Sequence, residues 1–321
     1  MIYSNLNSNP FVKASEHEDK VNLRGGRGAL WQPLSLLRNR MRALSNARSS
    51  RLLLSGLLAC RSLTMSAPEP KRLQRALDSV LPNAAPRVQL IDDSPAPPRS
   101  LVVLDSSFNP PTVAHAHLLR ACAERFTAER AMLLLAKQNA DKPVTGAGLV
   151  QRLQMMELLA RDLPGAPPTL CGVTAHPIFV DKAAALGALC APDAPVHLIV
   201  GYDTWVRVID PKYYDEGGLH AALGRLFAAV HVVVASRDPA GASAMAPLSV
   251  AEQQQAVESA LPAELTRGRL HFVEVPSPLD AVSSSAIRSA IARGDVGAAR
   301  EMLPPCLHDY VESEALFRES D

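Results

Sequence analysis

The apolar positions of this chain take on an alternating rhythm from residue 100 onward. Short unbroken runs at 101–105, 131–136, 169–173, 196–201, 229–236 and 269–275 are separated by stretches with helical spacing at 114–125, 149–162, 179–189, 218–226 and 249–260. Val and Leu runs without polar alternation predict strands covered on both faces. Apolar residues recurring every three or four positions predict amphipathic helices. Ser249-Val-Ala-Glu252 gives the helix at 249–260 a capping box. After the last strand, 284–293 reads as a helix stopped by Gly294, with further helices near 295–303 and 306–317. Strands spaced by helices make βαβ units, so the expected fold is a doubly wound parallel α/β sheet of about six strands.

The chain ahead of that sheet is different. Leu73, Leu77, Val80 and Leu81 have helical spacing, with Lys71, Arg72 and Arg75 on what reads as a solvated face. Pro82 and Ser94-Pro-Ala-Pro-Pro98 read as linker. Residues 67–98 are thus a short helix and a Pro-rich linker, and 99–321 the folded domain. Residues 1–66 carry Arg24, Arg27, Arg38, Arg40, Arg42, Arg48, Arg51 and Arg61, with no Asp or Glu between Lys20 and Pro68. Arg- and Ser-rich, acid-poor sequence is typical of mitochondrial targeting, although Glu16-His-Glu-Asp19 is wrong for the start of a presequence. A chain read from Met41 fits targeting better, and one read from Met65 looks cytosolic. The extension is expected to be disordered or a targeting segment. The protein is accordingly expected in the cytoplasm or nucleus, with mitochondria as the alternative.

Composition narrows the function classes. Apolar residues are 47% of 321, enough for a sizeable core, and the formal net charge of +1 gives no whole-chain case for nucleic acid or membrane binding. Cys60, Cys122, Cys171, Cys190 and Cys306 are scattered, odd in number and without a C-x-x-C pair. Neither a disulfide framework nor a zinc site is read from them. No apolar run approaches the roughly 20 residues of a membrane helix.

The chemistry concentrates where the first strand ends. Leu101-Val-Val-Leu-Asp105 runs into Ser106-Ser107-Phe108-Asn109-Pro110-Pro111-Thr112, and a helix then opens with Val113-Ala114-His115. Thr112 is the expected N-cap, and His115 falls at the third helical position, on the same face. Both then sit beside unpaired amides at the positive end of a helix, where an anion binds readily. His115 and His117 point to nearly opposite faces and cannot share a metal ion; no metal ligand set is read. A second stretch, Val282-Ser283-Ser284-Ser285-Ala286-Ile287-Arg288, offers hydroxyls, free amides and a guanidinium at another helix start, the outline of a polyphosphate clamp. In the common strand order the first and fourth strands are neighbours at the switch point where ligands bind. Gly201 and Asp203, after the fourth strand, would then face the first loop. Asp203 is suited to accept from a ribose hydroxyl or a pyridine carboxamide, and Gly201 lets a ring approach the backbone. G-x-G-x-x-G after the first strand, G-x-x-x-x-G-K-S/T and G-x-S-x-G are all missing, which disfavours dinucleotide oxidoreductases, P-loop enzymes and serine hydrolases.

These residues carry a resemblance. Ser107-Phe-Asn-Pro-Pro-Thr-Val-Ala-His115 resembles the nucleotidyltransferase signature G-S-F-N-P-x-(H/T)-x-G-H, and Val282-Ser-Ser-Ser-Ala-Ile-Arg288 its partner I-S-S-T-x-I-R. Gly201-Tyr202-Asp203 matches the G-x-D of nicotinamide and nicotinate mononucleotide adenylyltransferases, and Arg152 and Met155 resemble their R-x-x-M helix. Leu-Asp-Ser-Ser-Phe-Asn-Pro-Pro is similar to a fungal branch of that family. The resemblance spans roughly 100–317 and implies a Rossmann-like fold of the HxGH nucleotidyltransferase type. It implies attack of a pyridine mononucleotide 5′-phosphate on the α-phosphorus of ATP, with Mg²⁺ bridging phosphates and water rather than held in a protein cage. His115, Thr112 and Arg288 are then the expected catalytic groups. Backbone at Ser107 and Phe108 would hold the α-phosphate side, and Ser284, Ser285 and Arg288 the leaving pyrophosphate. Lys142 and Arg237 are expected as further cations. Ser106 stands where the family has Gly, and Ala114 where it has the Gly of H-x-G-H. Tyr213 or Tyr214 is the candidate for a stacking role that the family gives to Trp. Two alternatives stay open: an adenylyl- or cytidylyltransferase with another acceptor, and an ATP-binding or ATP-hydrolysing regulatory protein of the same fold.

Overall fold

A computed structural model describes residues 67–318, apart from 83, 92–95, 138–145, 215–217 and 239–247. The expectations for 1–66 and for Lys142 lie outside the described residues. Seven strands form one sheet: β1 (Gln89–Leu90), β2 (Leu101–Asp105), β3 (Arg130–Ala136), β4 (Thr169–Thr174), β5 (Val196–Gly201), β6 (His231–Ala235) and β7 (Leu270–Val273). Their order is β1-β4-β3-β2-β5-β6-β7. All pairings are parallel except β1 on β4. The six expected strands are therefore all present in the common doubly wound order. The seventh, antiparallel edge strand lies in what reads from sequence as linker; two residues are too few to show periodicity.

The helices are α1 (Pro70–Ser79), α2 (Val113–Arg125), α3 (Leu149–Arg161), α4 (Phe179–Gly187), α5 (Tyr202–Val208), α6 (Gly218–Ala229), α7 (Val250–Ser259), α8 (Ala263–Thr266), α9 (Ser284–Ala292), α10 (Val296–Met302) and α11 (His308–Ser313). The expected helix at 306–317 is shorter, because Pro304 and Pro305 impose a 3-10 turn over Pro305–Leu307 before α11 starts. Gly201-Tyr202-Asp203, expected as a loop, instead leads directly into α5, with Asp203 in its first turn.

Strand residues alternate between two cores. Leu101, Val103, Leu198 and Val200 face Val180, Leu186, Leu223, Leu226 and Phe227 from α4 and α6. Val102, Leu104, Ile199 and Val233 face Leu73, Leu77, Leu119, Leu153 and Leu159 from α1, α2 and α3. Burial on both faces is why these strands read as unbroken apolar runs. A third cluster joins Met155 and Leu158 of α3 to Ile287 of α9 and to Leu307, Tyr310 and Val311, which anchors the carboxyl-terminal segment beside the second serine-rich motif. Helix α1 belongs to the same unit as the sheet. Arg72 departs from the solvated face expected for it: it donates to both oxygens of the buried Glu157 on α3 and to the carbonyl of Ile91. A carboxylate at that depth needs such a partner.

Candidate active site

The β2–α2 connection is built from its own backbone demands. Phe108 has φ +44° and its ring is fully buried, so the loop turns sharply over a core anchor. Asn109 is buried; its Oδ1 accepts from the amide of Ala147 at 3.0 Å, and its carbonyl accepts from Arg288 Nη1 at 2.7 Å. Gly146, at φ +75°, lies against that side chain: a Cβ there would come within 2.8 Å of the Asn109 amide group. Arg152 of α3 is buried too, with Nε donating to the carbonyl of Ala147 and Nη1 to that of Ser107 at 3.3 Å. Ser284 Oγ donates to the carbonyl of Pro110 at 2.7 Å. Helix α9 and the β2 loop are thus sewn together before any ligand is present.

Thr112 caps α2 as expected. Its Oγ1 accepts from the amide of His115 at 3.2 Å, while its own amide donates to His115 Nδ1 at 3.0 Å. The second bond fixes the chemistry of the ring. Nδ1 is an acceptor, so the proton of the neutral imidazole sits on Nε2. Burial, with the positive charge of Arg237 adding to it, pushes the His115 pKa down to about 4. At neutral pH His115 is therefore an uncharged donor through Nε2–H. Its nearest partner is the hydroxyl of Ser106, 3.1 Å away. The residue that stands in place of the family's glycine thus occupies the one donor that the histidine can offer.

Around this centre lies a cleft of about 340 Å³. It is lined by Ser106, Ser107, Thr112, His115, Arg152, Gly201, Asp203, Arg237, Ser284, Ser285 and Arg288. Ten of the expected site residues are accounted for. His115, Thr112, Ser107, Gly201, Asp203, Arg237, Ser284, Ser285 and Arg288 converge here from the ends of β2, β5 and β6 and the starts of α2, α5 and α9, whereas Phe108 does not line the cleft and packs its ring at 5.3 Å from that of His115. Ser283, rather than Ser284 or Ser285, caps α9, accepting from the amide of Ala286. That leaves Ser285 at the cleft, where it accepts from Arg288 Nη2 at 3.2 Å. Asp203, in the first turn of α5, and Arg237, after β6, form a half-exposed pair at 3.3 Å. A Cβ on Gly201 would meet nothing within 4 Å, so the open space there is not taken by protein.

A second cavity of about 300 Å³ adjoins the first and shares Asp105, Ser106, Ser107 and Thr204 with it. Its other walls include Phe179, Lys182, Arg207, Tyr213 and Tyr214. Lys182 and Asp105, both nearly inaccessible, pair at 2.6 Å in its floor, with the ammonium 4.4 Å from the centre of the Phe179 ring. Both tyrosines line this space: the hydroxyl of Tyr214 donates to the carbonyl of Val208 at 2.7 Å, and the Lys212 ammonium lies 4.7 Å from the centre of the Tyr213 ring, so both stay candidates for stacking. Sequence reasoning missed Asn109, Gly146 and Lys182. Asn109 lay inside the quoted motif, but nothing in the sequence gives its partner at Ala147; the pairing of Asp105 with Lys182 joins residues 77 apart.

The cytidylyltransferase-like family profile matches residues 103–290, from β2 through most of α9. A protein of Schizosaccharomyces pombe, provisionally named a nicotinamide mononucleotide adenylyltransferase, is 29% identical over 74% of this chain and 93% of its own length. One of Chlorobium luteolum, provisionally named a nicotinate-nucleotide adenylyltransferase, is 27% identical over 68% of this chain and 99% of its own. Among solved structures, the nicotinic acid mononucleotide adenylyltransferase of Plasmodium falciparum in complex with NaAD aligns at 15% identity and a TM-score of 0.49, covering 68% of this chain and 97% of that one. With more than half of its length inside the matched profile, and both walls of the cleft included, the chain belongs to the cytidylyltransferase-like family.

Proposed function

We propose that this protein transfers the adenylyl group of ATP to nicotinamide mononucleotide or nicotinate mononucleotide, releasing pyrophosphate and forming the dinucleotide of NAD biosynthesis. The observation that carries the reading is the pair of adjoining cavities that meet at Ser106 and Ser107, with a neutral histidine donor at the junction. Each cavity suits one nucleotide. The polar, arginine-lined cleft suits a triphosphate, and the one walled by Phe179, Tyr213 and Tyr214 suits a pyridine ring. The names of the relatives point the same way.

The 5′-phosphate of the acceptor is already ionised at neutral pH, so no general base is required. Its oxygen forms a bond to the α-phosphorus while the bond to the bridging oxygen of the β-phosphate breaks. Catalysis then rests on alignment and on charge stabilisation. His115 Nε2–H would leave the hydroxyl of Ser106 and donate to an α- or β-phosphate oxygen. Arg288 and Ser285 would hold the β and γ groups, and Arg237 would turn from Asp203 toward the same phosphates, freeing Asp203 for a ribose or carboxamide. Of the three aspartates lining the cleft, Asp105 is bound to Lys182 and Asp203 to Arg237, and Asp280 accepts from the amide of Ala281; one uncompensated carboxylate suits an incoming Mg–ATP complex better than a resident ion. Mg²⁺ would neutralise phosphate charge.

The test is incubation of the protein with ATP, Mg²⁺ and each mononucleotide in turn. Formation of NAD or its deamido form in step with pyrophosphate is the expected result. Release of inorganic phosphate with no dinucleotide overturns it in favour of an ATP-hydrolysing regulatory protein.

A further inference from the structure

At the opposite end of the sheet, three histidines come together from three consecutive parallel strands. His197 is the second residue of β5, His231 the first of β6 and His271 the second of β7. The register puts His231 opposite His197, and His271 opposite Val233, two residues along β6 from His231. Because side chains alternate faces along a strand, all three imidazoles emerge on the same face, the one that α2 covers. Phe126 closes that side, stacking on His197 with ring centres 4.0 Å apart at 17° and tilting against His271.

We propose that His197, His231 and His271 form a binding site for a late first-row divalent cation, Zn²⁺ above all, that clips β5, β6 and β7 together at the end of the sheet remote from the cleft. One nitrogen from each ring lies within 4.8 Å of the others, and among the described residues no other group of three or more His, Cys, Asp or Glu does so. Two of them, His231 Nδ1 and His271 Nε2, are 3.1 Å apart. Tetrahedral zinc with Zn–N bonds of about 2.0–2.1 Å sets its ligand nitrogens about 3.3 Å apart, so this pair already stands at ligand spacing. The contact is at present a hydrogen bond, with one ring donating. Metal binding requires that ring to shift its proton to its other nitrogen, after which both nitrogens present lone pairs. His197, the most buried of the three and stacked on Phe126, has its nitrogen within 4.8 Å of the other two and must close to about 3.3 Å to complete the set. His231 and His271 are half-buried, which leaves a fourth position for water, the arrangement of a three-histidine site.

The electrostatics are mixed. Burial is the main cause that holds all three rings below the usual imidazole range, with His231 and His271 adding to it at His197, His271 and Arg269 at His231, and Arg125 at His271. Arg125 beside His271 and Arg269 beside His231 oppose a cation. Both guanidiniums are tied to backbone carbonyls, Arg125 to Phe272 and Arg269 to Phe227 and Ala228. They would weaken the site without blocking it, and imidazole ligands favour Zn²⁺, Ni²⁺ or Cu²⁺ over Mg²⁺.

The experiment uses the full chain without a polyhistidine tag, titrated with Zn²⁺ against a chromophoric chelator, alongside His231→Gln and His271→Gln. The expected result is one saturable site per chain, weakened in either variant by more than about tenfold, a loss already typical of changes outside the ligand shell. Zn²⁺ should raise the melting temperature of the wild type and not of the variants, and His231→Gln should keep its adenylyl-transfer rate. Should a variant fail to fold, Co²⁺ added to the wild type reports directly, through visible absorption bands of a tetrahedral or five-coordinate nitrogen site. No saturable binding, equal binding in both folded variants, or a purely octahedral Co²⁺ spectrum overturns the proposal.

Discussion

The two ends of the sheet place their polar groups by different means. At the carboxyl ends of the strands, the central element of the cleft comes from contiguous sequence: Ser106 to His115 span a strand end, a loop and the first turn of one helix. At the amino ends, His197, His231 and His271 come from three strands and meet only because β5, β6 and β7 are neighbours. The first arrangement is held by short-range backbone geometry, the second by sheet register. A group set by local geometry can be tuned by its sequence neighbours, as His115 is by Thr112 and Ser106. A group set by register depends on the whole core. The chemical end and the structural end should therefore respond differently to change.

The largest expected effect falls on the chemical end. His115→Ala should lower adenylyl transfer by about 10²–10³-fold, the usual consequence of removing one transition-state donor. Its stability cost should be only about 1 kcal/mol, for the capping bond lost by the amide of Thr112. Steady-state kinetics and a denaturant titration read both, and a variant with wild-type turnover would end the assignment. Gly146→Ala comes next. Its Cβ meets the Asn109 amide at 2.8 Å and its φ is +75°, so the β2 loop must shift or the backbone must strain. A loss of about 1–3 kcal/mol, with a raised KM for ATP, is expected. An unchanged melting temperature would show that Asn109 does not depend on that approach.

A pH titration separates the ends further. His115 and His197 each have a folded pKa near 4, against about 6.5 when unfolded. Between those values the unfolded chain binds more protons, so stability should be complete above pH 6.5 and decline as pH falls toward 4. His197→Gln should flatten part of that slope without altering turnover, and His115→Ala should flatten another part while lowering turnover as above. Identical slopes in all three proteins would contradict the burial argument. The smallest effect belongs to Ser106→Gly. It frees His115 Nε2–H, so the KM for ATP should fall by about two- to tenfold, the net worth of one hydrogen bond. A lower kcat with unchanged KM would instead mean that the Ser106 hydroxyl helps to aim the ring during the reaction.

Much of the cleft was legible in the sequence because its key groups are linked by helix periodicity. Thr112 and His115 are three residues apart at a helix start, as are Ser285 and Arg288, and in each case the spacing alone puts them on one face. The order of the strands followed from the usual winding of βαβ units, which placed Gly201 and Asp203 opposite Ser106 and Ser107. The same reasoning was blind where partners are remote. Nothing in the sequence marks Arg72 for Glu157, Lys182 for Asp105, or Arg288 for the carbonyl of Asn109, contacts that bridge 85, 77 and 179 residues. The edge strand β1 was also invisible, since its two residues form a strand only by pairing with β4.

The sequence by itself thus determined the alternating layers, the helix caps and the two motifs that line the cleft, because each depends on interactions within a few residues. The tertiary structure decided the protonation state of His115, which depends on burial and on Arg237. It also decided the use of Ser284 to fasten α9 to the β2 loop and the meeting of the three histidines across the sheet. Burial, electrostatic environment and sheet register arise only when distant segments come into contact.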